Sequence, residues 1–114
     1  AFFDAAALDE RLVERYHDML RAPGVRGAIL ERGQQTIYTD PVPRLKKITA
    51  PTLLLWGQAD LMIPSSNAKS YAGVLAQSQT VFIPKLGHLL HEEQPDIGLA
   101  KVTEFLDAKL RSSQ

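Results

Sequence analysis

The sequence predicts an α/β protein: one end of a doubly wound, mostly parallel sheet, preceded by helical residues. Two observations carry that expectation. Short apolar runs at 52–56 (Thr-Leu-Leu-Leu-Trp) and 80–83 (Thr-Val-Phe-Ile) are closed by Gly57 and Pro84, as buried strands are. A helical pattern lies between the runs and another follows the second, all with short connections. That order implies parallel strands joined by a right-handed crossover.

The elements follow in chain order. Across residues 8–20, Leu8, Leu12, Val13, Tyr16, Met19 and Leu20 fall at helical spacing, and charged residues fill the other face. Pro23-Gly24 ends this amphipathic helix. A weaker helical stretch through Val25, Ala28, Ile29 and Leu30 stops at Gly33. Asp40-Pro41 reads as an N-cap followed by a proline at the first helical position, opening a short turn with Val42, Leu45 and Ile48. After the first strand, residues 58–66 form a loop, and a helix to about Ala76 carries Ala68, Tyr71, Ala72 and Leu75 on one side. After the second strand, residues 85–94 form a loop. Pro95 then opens a helix expected to turn Leu99, Val102, Leu106 and Leu110 inward.

Composition narrows the function classes. Among 114 residues, 13 Lys and Arg balance 13 Asp and Glu, which argues against a nucleic-acid partner. Hydrophobic residues at 45% and charged residues at 23% fit a folded globular chain. No apolar run reaches the ~18–20 residues of a membrane-spanning helix. The absence of cysteine excludes disulfides, thiolate metal sites and a cysteine nucleophile. The opening Ala1-Phe2-Phe3-Asp4 is no intact secretory signal and suggests that something lies upstream; cytoplasm is the default location.

Two strands make a poor sheet. Each reads as apolar on both faces, so helices should cover both sides. A domain of this size should bury ~65% of its chain surface, which two strands and their helices hardly reach. The segment from Ile48 onward is therefore expected to be the end of a larger sheet whose remaining N-terminal strands are missing.

The chemistry-bearing residues sit on the two loops that leave the carboxyl ends of the strands, where open α/β sheets place ligands. Gly57-Gln58-Ala59-Asp60 and Ile63-Pro64 follow the first strand, and Gly87-His88 follows the second. A carboxylate there can accept from Nδ1–H of an imidazole and leave Nε2 free to take a proton. The plainer alternatives are a turn or capping role for Asp60 and a surface or core role for His88. His88, His91, Glu92 and Glu93 have H-x-x-H-E spacing rather than H-E-x-x-H, so no metal is expected. Leu61, Met62, Leu89 and Leu90 either line an apolar pocket or pack. Trp56 reads as core, His17 as exposed, and Arg44, Lys46 and Lys47 as a solvated cluster.

Taken together, Pro51-Thr52-Leu53-Leu54-Leu55-Trp56-Gly57-Gln58-Ala59-Asp60 with Ile63-Pro64 resembles the acid-bearing strand and loop of α/β-hydrolases. Gly87-His88, then Glu93, Pro95 and Glu104-Phe105-Leu106, is similar to that family's histidine loop and last helix. The resemblance implies that Asp60 is the triad acid and His88 the triad base, with no cofactor. It also implies that residues 1–44 are the tail of a helical lid or cap and residues 45–114 the C-terminal part of the core. The family's nucleophile belongs in a G-x-S-x-G elbow upstream of both. None of Ser65, Ser66, Ser70, Ser78, Ser112 and Ser113 has glycine at both second positions, and no aspartate sits in such an elbow.

The expectation is thus the C-terminal part of a hydrolase of a small-molecule ester, amide or related bond, inactive as the 114-residue chain alone. The nucleophile, Ser or Asp, would come from the missing part. The alternatives are a non-catalytic binding or scaffold relative, and a subunit that pairs through its open sheet edge, including with its own copies.

Overall fold

The computed structural model describes residues 1–111. Ser112 and Ser113, and with them the end of the expected 45–114 segment, lie outside the described residues. The chain forms two compact units, Leu8–Asp40 and a second made of Ala1–Ala7 with Pro41–Gln114.

The first unit is a pair of helices in contact. Helix α1 (Glu10–Arg21) starts where Asp9 accepts a hydrogen bond from the Leu12 N–H, a cap worth about 1 kcal/mol. Glu10 in its first turn and Arg21 in its last complement the helix dipole. Helix α2 (Val25–Gln35) follows the Pro23-Gly24 break and packs on α1. Neither helix buries a residue, and Val13, Met19, Leu20, Ile29 and Leu30 are exposed.

The second unit opens with a single 3₁₀ turn, Ala5–Ala7, and resumes at α3 (Val42–Leu45). Pro41 rather than Asp40 occupies the cap position of α3, so the helix begins one residue later than the sequence suggests. Pro41 carries no capping side chain; its carbonyl accepts from the N–H groups of Arg44 and Leu45.

Strands β1 (Thr52–Gly57) and β2 (Ser78–Ile83) pair in parallel, Thr52 opposite Ser78 through Gly57 opposite Ile83. Helix α4 (Ser66–Ala72) makes the crossover between them. The loop expected at 85–94 contains one further helical turn, α5 (Leu90–Glu93), and α6 (Pro95–Arg111) follows. Four residues with no side-chain cap leave little periodicity for a sequence reading to find.

Two packing expectations are corrected. Residues 52–56 are half-buried, not covered on both faces, because among the described residues β1 has β2 as its only strand partner. Leu99, Val102, Leu106 and Leu110 are exposed, Leu99 by 66% and Leu110 by 67%, while Gly98 is buried and Phe105 half-buried. Helical spacing identifies residues that share a stripe, not the stripe that meets the sheet. Here α5 lies against the Gly98 side, where Leu90 would stand 3.5 Å from an added Cβ.

The buried residues of this unit gather near the carboxyl ends of the strands. They include Ile83, Leu86, Gly57, Gly87, Asp60 and Glu93, with Ala68 and Leu75 from the crossover. The best-packed part of the molecule therefore holds the two candidate loops.

Candidate active site

Backbone hydrogen bonds stitch the two loops together. The N–H of Gln58 donates to the Ile83 carbonyl and that of Ala59 to the Leu86 carbonyl, both at 2.9 Å. The approach is close enough that a Cβ on Gly57 would collide with the carbonyl oxygens of Leu86 and Gly87. Beyond β2, Lys85 takes a left-handed conformation (φ 56°), a cost of roughly 1–2 kcal/mol for a residue with a Cβ.

Asp60 and His88 meet. Asp60 Oδ2 lies 2.9 Å from His88 Nδ1, within the span expected for a hydrogen bond between them. Its other oxygen, Oδ1, accepts from the N–H groups of Met62 at 2.8 Å and Ile63 at 2.9 Å. Burial pushes this carboxyl up, but the Ile63 N–H, the His88 ring and the Met62 N–H together outweigh it. Asp60 is held below its ordinary value. It is therefore ionised at neutral pH and can only accept, so Nδ1 of His88 carries the proton and Nε2 is the basic nitrogen.

Exposure is divided to match. The Asp60 side chain is 5% exposed and that of His88 32%. A shallow recess of about 150 Å³ is lined by both, with Leu55, Trp56, Gly57, Ile63 and Leu90. That is less than the ~300–1,000 Å³ of a typical small-molecule cleft. Larger recesses lie elsewhere, one of about 630 Å³ where α1 meets α2, and they lack such an acid–histidine pair. Trp56, read from the sequence as core, is half-buried, lines the recess and donates from Nε1 to the Ile63 carbonyl at 3.0 Å.

Of the flanking apolar residues, Leu90 lines the recess, whereas Leu61 is 92% exposed and Met62 is exposed as well. His17 is exposed and lies 3.3 Å from Asp18, and Arg44, Lys46 and Lys47 are exposed. Among the described residues no three His, Cys, Asp or Glu side chains converge as metal ligands would. No helix among them is long and apolar enough to cross a membrane.

Sequence reasoning gave Glu93 no role of its own. It is buried and accepts from the Gly87 N–H and the Phe3 N–H, each at 2.8 Å. The second contact spans 90 positions, so no local pattern could have signalled it.

Comparison with known proteins agrees with the fold. No family model matches the chain. It is 32% identical over 103 residues to the uncharacterized hydrolase YugF of Bacillus subtilis, covering 90% of this chain and 38% of that protein. The crystal structure of a bacterial membrane phospholipase A superposes with a TM-score of 0.76 at 30% identity, covering 94% of this chain and 34% of the other. A serine hydrolase of carbazole degradation, CarC, shares the fold with a TM-score of 0.79 at 23% identity, over 89% of this chain and 41% of the other. The chain belongs to the α/β-hydrolase fold family. It spans between 12% and 38% of the length of the curated relatives it matches.

Proposed function

We propose that this chain is the C-terminal part of an α/β-fold hydrolase in which His88 moves the proton and Asp60 orients it. The supporting observation is the Asp60–His88 contact of 2.9 Å at the carboxyl ends of two parallel strands. The nucleophile, Ser or Asp, comes from the remaining part of the protein. With a serine, Nε2 of His88 takes the hydroxyl proton as the oxygen attacks the substrate carbonyl, then gives it to the leaving group. Water repeats the step on the acyl intermediate. With an aspartate nucleophile, Nε2 deprotonates the water that hydrolyses the covalent ester. In either case Asp60 stays ionised and stabilises the imidazolium.

The small recess and the exposed stripe of α6 support a site completed by further chain. The helical unit Leu8–Asp40 supports placing the tail of a cap within residues 1–44. The substrate class we favour is a small-molecule ester, amide or related bond. Similar proteins include a carboxylesterase of Bacillus subtilis and monoacylglycerol lipases of Xenopus laevis. Turnover of 4-nitrophenyl esters by the full-length protein tests the proposal. Activity that is lost in His88→Ala supports it, and activity indifferent to that change contradicts it. A folded full-length protein with no hydrolysis of any ester or amide offered would favour a binding or scaffold role.

A further inference from the structure

Glu93 is a second acid buried at this end of the sheet, and the proton-transfer scheme does not use it. It is 6% exposed, at the end of α5, and both of its oxygens are engaged. Oε1 accepts from the N–H of Gly87, the residue before His88, and Oε2 accepts from the N–H of Phe3, both at 2.8 Å. The segment that holds Phe3 returns to the histidine, because the carbonyl of Ala1 accepts from the His88 N–H at 2.6 Å. Glu93, Gly87, His88, Ala1 and Phe3 thus form a closed ring of covalent links and hydrogen bonds.

The ring has no slack. A Cβ on Gly87 would collide with the Ala1 carbonyl oxygen, and would come within 2.8 Å of Phe3 N and Glu93 Oε1. A buried carboxylate needs charge-assisted donors. Those it finds here are the backbone N–H of Gly87, in the histidine loop, and that of Phe3, in the segment bonded to that loop.

We infer that Glu93 is a positioning residue for His88: it holds the backbone of the histidine loop so that Nδ1 reaches Asp60 and Nε2 faces the recess. It touches no reacting atom. The inference rests on the proposed acid–histidine role and extends it. Asp60 selects the tautomer of the ring, while Glu93 sets where the ring is carried.

The test uses the full-length protein with Glu93→Gln, Glu93→Ala and, as reference, Asp60→Asn. Long-range ¹H–¹⁵N spectra of the histidine rings report which nitrogen of His88 is protonated. Kinetics on a 4-nitrophenyl ester separate kcat from KM. Glu93→Gln keeps the size of the side chain but turns an NH₂ toward one of the two backbone donors. It should move His88 away from a single Nδ1–H form and lower kcat by up to about a hundredfold, with KM changed by less than about threefold. Glu93→Ala should do more. If it fails to fold, the near-isosteric Glu93→Gln carries the readout alone. A His88 ring signature unchanged in Glu93→Gln but shifted in Asp60→Asn would overturn this inference and leave the acid–histidine role standing. A signature unchanged in both would overturn the acid–histidine role as well.

Discussion

Asp60 is buried but not isolated, and its pH behaviour follows from what it accepts. Three hydrogen bonds favour the charged form against the burial that disfavours it. With its folded value below the unfolded one, Asp60 contributes stability that is fully present above about pH 4 and is lost as pH falls through the folded value. Carboxyl ¹³C titration should therefore place its midpoint below that of an unperturbed aspartate. A midpoint above it would show that burial dominates. The tight stitch between the loops makes a second prediction. Gly57→Ala should destabilise the protein by about 1–3 kcal/mol in denaturant unfolding, because its Cβ meets rigid carbonyls rather than a movable side chain. A change within ~0.5 kcal/mol, normal for an exposed site, would mean that the loops separate easily. Asp60 and His88 were legible in the sequence because each closely follows an apolar strand and a glycine. Glu93 entered the sequence reading only as part of the histidine-loop resemblance, with no role attached to it. It stands between Glu92 and Gln94 in a polar stretch, and its burial depends on Phe3, 90 positions away.

Strands and long helices declared themselves through runs and breaks: Gly57 and Pro84 bound the strands, Pro23 the first helix and Pro95 the last. What the pattern could not supply was a partner for each face. Residues 52–56 are apolar enough for a strand covered on both sides, yet they are half-buried here. Helix α6 likewise keeps a regular apolar stripe that is left exposed, from 38% at Val102 to 67% at Leu110. If that stripe packs against the rest of the proposed sheet, Leu106→Ala should cost the full-length protein about 2–3 kcal/mol. Unfolding measurements that show less than ~0.5 kcal/mol would place the stripe in solvent.

For the molecule as a whole, each unit has much to cover: α1 and α2 expose apolar residues in one, and in the other α6 does so while β1 has, among the described residues, a strand on one side only. An apolar edge of this kind pairs with other chains. Each leucine left unburied forgoes roughly 1.5–3 kcal/mol, against whole-domain stabilities of only ~5–15 kcal/mol. The 114-residue chain on its own should therefore scatter light as an oligomer or aggregate and show no esterase activity above its His88→Ala control. A monomeric mass with dispersed amide resonances would contradict the open-edge account. The proposed role of His88 as a base oriented by Asp60 is tested most directly by kcat/KM of the full-length protein on a 4-nitrophenyl ester, wild type against Asp60→Asn. The account predicts a fall of about 10⁴-fold from the loss of the Nδ1–H tautomer, with the fold intact by circular dichroism. A variant that keeps its activity to within about tenfold, far short of that loss, would contradict it.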